Sequence, residues 1–365
     1  MAFILTFLGK GGTGRTTLAL AAAHKFARAG QRVLLMSQDA GPALEILVGQ
    51  PIEGDAQAIA PNLYVTHLRS ARLLEESWDE VKKQEAQYLK TPFFKEVYGQ
   101  ELGVLPGMDP ALALNAIREQ DASGQYDVIL YDGDGYQSTL RMFGMPEILS
   151  WYTRRFQKVF AESDLWRNLS PFAQPIASSI LNVDWSGDLM SSQPANQAKS
   201  ILEQGKEAIA NPQRVMAYLV TTERPDAIAT ARYLWGASQQ VGLSVGGVLV
   251  NQASDISSTS ESFAPIHATA VPHHTGQDWA ALAETLPDFQ QTVPPAPITL
   301  DLQARQVRLF LPGFTKQQVK LTQYGPEVTI EAGDQRRNIF LPAELRGRAV
   351  TGAKFQDSYL IITFG

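Results

Sequence analysis

The fold of this chain is decided by the stretch Gly9-Lys10-Gly11-Gly12-Thr13-Gly14-Arg15-Thr16-Thr17. An apolar run at residues 3–8 precedes this stretch, and a run with helical spacing at residues 18–29 follows it. A strand, a glycine-rich loop and a helix in that order form the context of a phosphate-binding loop. Glycines let backbone N–H groups converge on a phosphate, and the helix N-terminus adds the positive end of its dipole. The stretch therefore predicts ATP binding, with the Thr16 hydroxyl on Mg²⁺; a tight connection without a ligand is the structural alternative.

The loop departs from the usual motif at one position, because Arg15 stands where the motif has Lys. Arg carries a planar fork that is always charged, whereas Lys is a compact charge on a flexible stem. The exchange is therefore not neutral at a crowded phosphate site. A second basic residue, Lys10, lies inside the loop. We predict that both side chains stabilise phosphate charge.

Composition excludes several classes of function. The chain has 365 residues, 44% of them hydrophobic, with a net charge of −6 and no cysteine. The absence of basic runs gives no support to a nucleic-acid partner. The absence of cysteine excludes disulfides and thiolate zinc sites, so no zinc is expected. No apolar run approaches the roughly 20 residues of a membrane span, and the N-terminus lacks the features of a secretory signal. These features predict a cytoplasmic protein.

Apolar runs and helical stretches alternate over the first part of the chain, which predicts an α/β fold with a mainly parallel sheet. The predicted strands are residues 3–8, 32–36, 63–67, 127–131, 214–220 and 246–250. The predicted helices are residues 15–29, 71–98, 110–123, 225–241 and 277–286. Ligands of such sheets bind at the carboxyl ends of the strands.

Three changes in composition and hydrophobic pattern along the sequence predict the domain organisation. Residues 1–291 form a P-loop domain, and within it residues 145–210 do not alternate and are predicted to be a helical insertion. Residues 292–298 are rich in proline and form a stiff linker. Residues 299–365 are predicted to be a small all-β sandwich, from short runs separated by Gly and Pro. Its strands are predicted at residues 300–311, 318–323, 327–331, 337–341, 350–355 and 359–364.

Three polar residues follow predicted strands of the sheet. Asp39 could orient a water toward a γ-phosphate, or serve as a helix N-cap. Asp132 ends an apolar strand, as the carboxylate that holds Mg²⁺ does in P-loop enzymes, and a turn Asp is the alternative. Asp134 is a weaker candidate for the same role. Asn251 could read an adenine edge or form an Asx turn.

Four stretches together resemble the arsenite-pump and guided-entry ATPases, the branch of P-loop proteins that includes the targeting factor for tail-anchored membrane proteins. They are residues 9–17, 37–44, 132–141 and 248–252, and the likeness covers residues 1 to about 290. The resemblance implies a homodimer in which Lys10 reaches across the interface. It implies that Asp39 positions the attacking water and that Asn251 contacts adenine.

The departures from that family concern the loop, the second switch and the metal. Arg15 replaces Lys, and residues 133–138 read Gly-Asp-Gly-Tyr-Gln-Ser where the family has Thr, Ala, Pro, Thr, Gly and His. Members that target proteins hold a zinc between two protomers through a cysteine pair, and arsenite-pump ATPases bind the metalloid through cysteine. This chain has no cysteine, so neither feature is expected.

The last part of the chain resembles the α-crystallin domain of small heat-shock proteins. Residues 311–314, 340–342 and 350–364 carry the likeness. Because the flanking arms of those chaperones are missing, we predict an interaction module, with a partner that the sequence does not identify.

Three functions are compatible with these patterns. The first is an ATP-driven homodimeric switch that binds hydrophobic client segments. Its predicted client surface consists of apolar residues: Met142, Phe143, Met145, Leu149, Trp151, Phe156, Phe160, Leu165, Trp166, Leu169 and Phe172. Met and aromatic side chains adapt to varied apolar partners, and an ordinary helical core is the alternative. The second function is a nucleotide-binding scaffold with little or no hydrolysis. The third, a partitioning ATPase, ranks last because no basic surface or amphipathic basic helix stands out.

Overall fold

The computed structural model describes residues 1–39, 41–52, 55–73, 75, 107–162, 192–276 and 278–365. For residues 156–162 and 192–198 it describes the backbone only.

An eight-stranded sheet forms the centre of the first part of the chain, in the order β3-β4-β2-β5-β1-β6-β7-β8. Its neighbouring strands are parallel, apart from the antiparallel pair β3–β4 at one edge. The strands are β1 (Phe3–Leu8), β2 (Val33–Ser37), β3 (Gln57–Ala60), β4 (Leu63–His67), β5 (Val128–Asp132), β6 (Val215–Thr221), β7 (Val245–Asn251) and β8 (His267–Val271). The predicted α/β class with a mainly parallel sheet is confirmed.

Helices cover both faces of this sheet, which explains why the central strands β1, β2, β5, β6 and β7 are buried at every position. They are α1 (Arg15–Arg28), α2 (Ala43–Val48), α3 (Met108–Ser123), α4 (Gln137–Glu162), α5 (Ser192–Ala210), α6 (Pro225–Gln240), α7 (Ser257–Glu261) and α8 (Trp279–Thr285). One buried cluster joins α1 and α8 to the sheet, and another joins α3, α4 and α6 to its other face. Among the described helices, none has the length and apolar character needed to cross a bilayer.

Strand prediction succeeded in the centre of the sheet and failed at its edges. The predicted runs 3–8 and 63–67 agree with β1 and β4 to the residue, three others are shifted by one residue, and the run 246–250 ends one residue short of β7 on each side. The prediction missed β3 and β8, because an edge strand is covered less completely and its sequence alternates less clearly. Most of the predicted helix 71–98 lies outside the described residues.

The predicted insertion begins inside a longer helix. α4 starts at Gln137, eight residues before the predicted boundary at 145, and residues 163–191 lie outside the described part of the chain. The side chains of Met142 and Phe143 are 0% and 2% exposed and belong to the core. Their assignment to a client surface was therefore wrong, since a helix that lies on a sheet buries one face along its first turns.

The C-terminal part is an antiparallel β-sandwich, as predicted. One sheet has the order β14-β15-β10-β9 and the other the order β11-β12-β13. The strands are β9 (Ile298–Asp301), β10 (Gln306–Phe310), β11 (Val319–Tyr324), β12 (Glu327–Ala332), β13 (Gln335–Phe340), β14 (Val350–Gln356) and β15 (Tyr359–Phe364). Alternate apolar side chains from both sheets fill the space between them.

The single strand predicted at residues 300–311 is instead a hairpin. Leu300 pairs with Val307, and the chain reverses between β9 and β10. Arg305, in the reversal, has a left-handed φ of 51°. The prediction missed this turn because the reversal at residues 302–305 contains neither Gly nor Pro.

The sandwich packs against α6. The ring of Trp235 meets Phe310 edge to face at 5.4 Å, and Tyr233 meets Phe314 in the same way at 5.6 Å. Gly236 follows Trp235 on the helix, and a Cβ there would overlap the carbonyl oxygen of Pro312 and the ring of Phe314. The helix therefore needs glycine at this point, where the backbone of the sandwich approaches it closely.

Candidate active site

The glycine-rich loop connects β1 to α1 and closes on itself. The carbonyl oxygen of Lys10 accepts hydrogen bonds from the Thr13 backbone N–H, at 3.3 Å, and from the Thr13 hydroxyl, at 2.8 Å. The helical hydrogen bonds begin where Leu18 N–H donates to Gly14 O. The N–H groups of the first turn, which includes Arg15, Thr16 and Thr17, therefore have no acceptor inside the helix and can bind an anion.

The tip of the loop is open and its end is tightly packed. Gly11 and Gly12 are exposed, and Gly9 N–H donates to Gly135 O at 3.0 Å. Gly14 has a left-handed φ of 91°, and a Cβ there would overlap the side-chain amide of Asn251. Only glycine adopts this left-handed conformation without strain and leaves room for the Asn251 amide.

Asn251, at the end of β7, supports this loop. Its side chain is 7% exposed, and Nδ2 donates to Thr13 O at 2.8 Å. The amide nitrogen is thus engaged with the phosphate-binding loop, and this contact joins two segments 238 residues apart. The role of Asn251 at adenine stays a prediction.

Asp132 lies at the end of β5, beside β2, and is 3% exposed. The hydroxyl of Ser37, at the end of β2, approaches its Oδ2 at 3.4 Å, and the hydroxyl of Thr16 also donates to it. Burial raises the pKa of the Asp132 carboxyl to about 6, against the opposing effects of the Thr16 hydrogen bond and the Arg15 charge. Ser37 was missed by sequence reasoning; a small polar residue closing an apolar strand was the available signal.

The donor set suits Mg²⁺ in the manner of nucleotide sites. Thr16 and Asp132 present hard oxygen atoms side by side, and Mg²⁺ usually takes one or two protein oxygens and completes its shell with water and phosphate. The described residues contain no cluster of three or more His, Cys, Asp or Glu that could hold a metal by themselves. The site therefore fits a metal that arrives with a nucleotide.

The substitution Asp132→Asn should stabilise the protein in chelator without nucleotide. A folded-state pKa of about 6 exceeds the ordinary aspartate pKa of 3.8, so the wild type gains stability as pH falls from about 6 toward 4 and bears a burial cost above pH 6. We expect the variant to be more stable by on the order of 2 kcal/mol at pH 7.5, with the difference shrinking toward pH 4. Urea unfolding at several pH values measures this.

Asp127→Asn is the matched control, just before the same strand. Its carboxylate accepts hydrogen bonds from Arg32, which lower the pKa of Asp127 to about 2. That variant is expected to lose stability at pH 7.5. A less stable Asp132→Asn protein at this pH would contradict the burial cost assigned to Asp132.

Arg15 points from the loop toward the turn after β5. Its Nη1 donates to Gly133 O at 2.9 Å. Burial lowers the pKa of the guanidinium, while the carboxylates of Asp132, Asp134 and Asp39 raise it. The charge of Arg15 is therefore surrounded by three carboxylates, two from the end of β5 and the turn after it and one from the segment after β2.

Asp39 follows β2 and is exposed. Its Oδ1 accepts a hydrogen bond from Gly41 N–H at 2.9 Å, which is an Asx turn. The next helix, α2, begins at Ala43 with Pro42 at its N-cap and no side-chain cap. The helix-cap alternative for Asp39 is therefore wrong, and the carboxylate lies in the electrostatic field of Arg15 and Asp132.

Asp134 caps α4, as a turn Asp would. Its Oδ1 accepts from the backbone N–H groups of Tyr136 and Thr139 and from the Thr139 hydroxyl at 2.6 Å. These hydrogen bonds lower the pKa of Asp134. The carboxylate thus fixes the geometry of the turn that Arg15 contacts.

Lys10 points away from the other predicted site residues. Its Nζ lies 2.7 Å from Oδ2 of Asp226, in the first turn of α6, and both side chains are almost half exposed. Arg224 also pairs with Asp226, at 3.1 Å. Asp226 was missed by sequence reasoning, since an acidic residue in a first helical turn is common for its effect on the dipole.

The comparisons with known proteins agree with this geometry. The family model described as "Anion-transporting ATPase" matches residues 1–266. The chain belongs to the anion-transporting ATPase family. Residues 303–364 of this ATPase match the model described as "HSP20-like domain found in ArsA", which agrees with the predicted α-crystallin-like sandwich.

Some relatives match nearly the whole length of this ATPase, and others match about two thirds of it. A protein of Prosthecochloris vibrioformis named "Putative arsenical pump-driving ATPase" is 24% identical over 391 residues, covering 99% of this chain and 95% of its own. "Putative arsenical pump-driving ATPase 1" of Aquifex aeolicus is 22% identical, covering 98% and 99%. "ATPase GET3" of Kluyveromyces lactis is 25% identical over 258 residues, covering 67% of this chain and 70% of its own.

Proposed function

We propose that this ATPase is a homodimeric switch that uses Mg-ATP binding and hydrolysis to bind and release hydrophobic client segments, tail-anchored membrane proteins among them. One observation carries the proposal. The turn that contacts the phosphate-binding loop continues directly into α4, and α4 displays exposed apolar side chains farther along. A single helix thus extends from the nucleotide site to an apolar surface.

At the nucleotide site, two hydrogen bonds connect the phosphate-binding loop to the turn before α4. Gly9 N–H donates to Gly135 O, and Arg15 donates to Gly133 O. A γ-phosphate in the loop competes for both donors, because a charged oxygen is a stronger acceptor than a carbonyl. Nucleotide binding therefore weakens the two hydrogen bonds that hold the turn at the start of α4.

The chemical step uses residues of three strand ends. Bound Mg²⁺, held by Thr16 and Asp132, supplies charge stabilisation at the phosphates. Asp39 orients the attacking water, and Arg15 stabilises negative charge as it develops. Because Asp39 is exposed at the mouth of the site, it can reach a water outside the loop.

The proposed client-binding surface consists of exposed apolar side chains on α4. Ile148, Leu149 and Tyr152 are 40%, 37% and 47% exposed, and their spacing places them together on the helix surface. A cluster of exposed apolar side chains is a feature of binding surfaces. Leu149 was among the predicted client residues, whereas the predicted residues from Phe156 onward lie outside the described side chains.

The function is tested by measuring ATP turnover and client binding together. The probe is a helical Leu-rich peptide of roughly 20 residues, the length of a membrane-spanning segment. Turnover with Mg²⁺ and peptide binding that depends on the nucleotide are expected. Turnover without any nucleotide-dependent peptide binding would overturn the client part of the proposal.

The Lys10→Ala substitution tests the dimer. The Lys10–Asp226 pair is exposed, and exposed ion pairs contribute little to stability, so the amine is readily available to the phosphates of a partner's nucleotide. We expect the ATP-dependent dimer to weaken by about tenfold or more. Sedimentation with and without ATP measures this.

Lys25→Ala serves as its control, since Lys25 lies on α1 and its Nζ donates to Ala283 O within the protomer. An ATP-dependent dimer that is equally stable in both variants would show that Lys10 does not cross the interface.

A second candidate function, a nucleotide-binding scaffold with little hydrolysis, is favoured by the contacts of Arg15. The guanidinium donates a hydrogen bond to Gly133 O and interacts electrostatically with three carboxylates. An arginine held in this way is less able than a flexible lysine to move toward the phosphates and stabilise their charge. ATP binding without turnover would support this function. The cytoplasmic location stays a prediction.

A further inference from the structure

The start of α4 is held by the C-terminal sandwich as well as by the phosphate-binding loop. Both polar atoms of the Gln137 side chain are engaged. Its Nε2 donates to the Tyr233 hydroxyl, on α6, at 2.9 Å. Its Oε1 accepts from Nε2 of Gln335, the first residue of β13, at 2.7 Å. Gln335 is 7% exposed. A buried residue of the sandwich therefore contacts Gln137, the first residue of α4.

The turn between β12 and β13 makes two further contacts with the same region. The Asp334 N–H donates to the Tyr233 hydroxyl at 3.2 Å. The Asp334 carboxylate accepts from Arg141, one turn along α4, at 2.7 Å. Two successive turns of α4 therefore contact one turn of the sandwich.

Gln137 lies close in sequence to the turn that contacts the nucleotide site. Residues 133–136 accept the hydrogen bonds of Arg15 and Gly9, through Gly133 O and Gly135 O. Asp134 fixes the same turn to the first residues of α4. The segment from 133 to 137 is thus held at one end by the phosphate-binding loop and at the other by the sandwich.

The amide pair is the sensitive part of this contact. Separating Gln137 from Gln335 leaves the buried Gln335 amide without its partner, which is costly because the group is shielded from water. The Arg141–Asp334 pair is exposed on both sides and contributes less. The rest of the interface, including the ring contact of Trp235 with Phe310 and the hydrogen bond of the Trp151 indole to Glu327, holds the sandwich in place independently.

We propose that the C-terminal sandwich is a positioning element of the second switch: Gln335 holds Gln137, and through it sets the position of the turn 133–136 during ATP hydrolysis. The inference rests on the proposed function, since it concerns the rate of that hydrolysis. Nucleotide binding is expected to alter the contact between the sandwich and α4, and linkage then requires that loss of this contact change ATP affinity by the same factor.

The test compares two glutamine substitutions in the sandwich. Gln335→Leu keeps the size of the side chain and removes the hydrogen bond to Gln137. Gln323→Leu removes two hydrogen bonds inside the sandwich, to Arg348 O and from Val350 N–H, away from α4. We expect Gln335→Leu to lower kcat about three- to tenfold and to change the KM for ATP by a smaller factor, because displacement of a switch by about 1 Å costs up to a hundredfold in rate. Gln323→Leu is expected to keep the wild-type kcat.

A double-mutant cycle separates positioning from a general loss of stability. If Gln335 acts through Gln137, the double variant Gln137→Leu with Gln335→Leu has nearly the kcat of Gln137→Leu alone. Additive effects of the two substitutions on kcat, or equal losses in Gln335→Leu and Gln323→Leu, would overturn the proposal. So would a wild-type kcat in Gln335→Leu.

Amide exchange distinguishes failure of this proposal from failure of the proposed function. The Asp334 N–H donates to the Tyr233 hydroxyl, which also accepts from Gln137, so its exchange rate reports on this contact through their shared partner. We expect Mg-ATP to change its exchange rate in the wild type and to change it less in Gln335→Leu. If the wild type binds ATP without turnover, hydrolysis fails and this measurement alone decides the coupling. An exchange rate that ATP leaves unchanged overturns the coupling, whether or not ATP is hydrolysed.

Discussion

Asp39→Asn is expected to lower ATP turnover by about a thousandfold while ATP affinity changes by less than about threefold. Orientation and proton acceptance by a carboxylate contribute on the order of 10²–10⁴ in rate. The amide keeps the Asx turn, because its oxygen still accepts from Gly41 N–H, but it cannot accept a proton from water. Affinity is set by the loop and by Arg15, which this substitution does not touch. Single-turnover hydrolysis and equilibrium ATP binding measure the two quantities separately.

The matched control for that experiment is Asp288→Asn. Asp288 is also exposed and accepts a hydrogen bond from the backbone N–H two residues on, at 3.1 Å. It lies outside the site, so its variant is expected to keep both turnover and affinity. Turnover in Asp39→Asn within about threefold of the wild type would remove Asp39 from the mechanism.

Arg15→Ala is expected to weaken ATP binding by about two to three orders of magnitude, because the loss of one charged donor at a phosphate costs about 3–4 kcal/mol. The reason lies in the surroundings of the guanidinium. It offsets the negative field of Asp132, Asp134 and Asp39, and without it an incoming triphosphate meets three carboxylates. Equilibrium titration with a fluorescent ATP analogue measures the loss.

Two further variants show whether the loss of ATP binding is specific to Arg15 and whether it depends on the charge or on the guanidinium fork. Arg28→Ala removes an arginine from the other end of α1, where it pairs with Glu284 at 3.5 Å, and is expected to bind ATP normally. Arg15→Lys keeps the charge and loses the fork that reaches Gly133 O. If it hydrolyses ATP faster than the wild type, the Arg15–Gly133 contact limits turnover. Unchanged ATP affinity in Arg15→Ala would show that the guanidinium serves only to hold the turn after β5.

Much of the site could be predicted because its residues follow strands. In a parallel sheet the carboxyl ends of the strands lie along one edge, so an apolar run that ends in Asp132 or Asn251 already places that residue near the loop. The same reasoning placed Asp39. It did not give the partners of these residues: Asn251 contacts Thr13 and Lys10 contacts Asp226, in segments separated by more than 200 residues.

Burial was the second limit of sequence reasoning. Met142 and Phe143 have the same apolar character as Leu149, yet the first two are in the core and the third is 37% exposed. Composition cannot separate them, because the difference depends on which face of α4 lies on the sheet. The missed edge strands β3 and β8 have the same cause, since coverage by neighbours decides how apolar a strand must be.

The sequence by itself determined the glycine-rich loop, the strands next to it and the change to an all-β part, because dihedral preferences and hydrophobic periodicity act over a few residues. Only the tertiary structure decided the order of the strands and the docking of the sandwich on α6 and α4. The pair Gln137–Gln335 spans 198 residues, and no local spacing encodes a contact between two polar side chains that far apart. It forms because Gly236 lets the sandwich approach α6 closely and the rings around it fix its position.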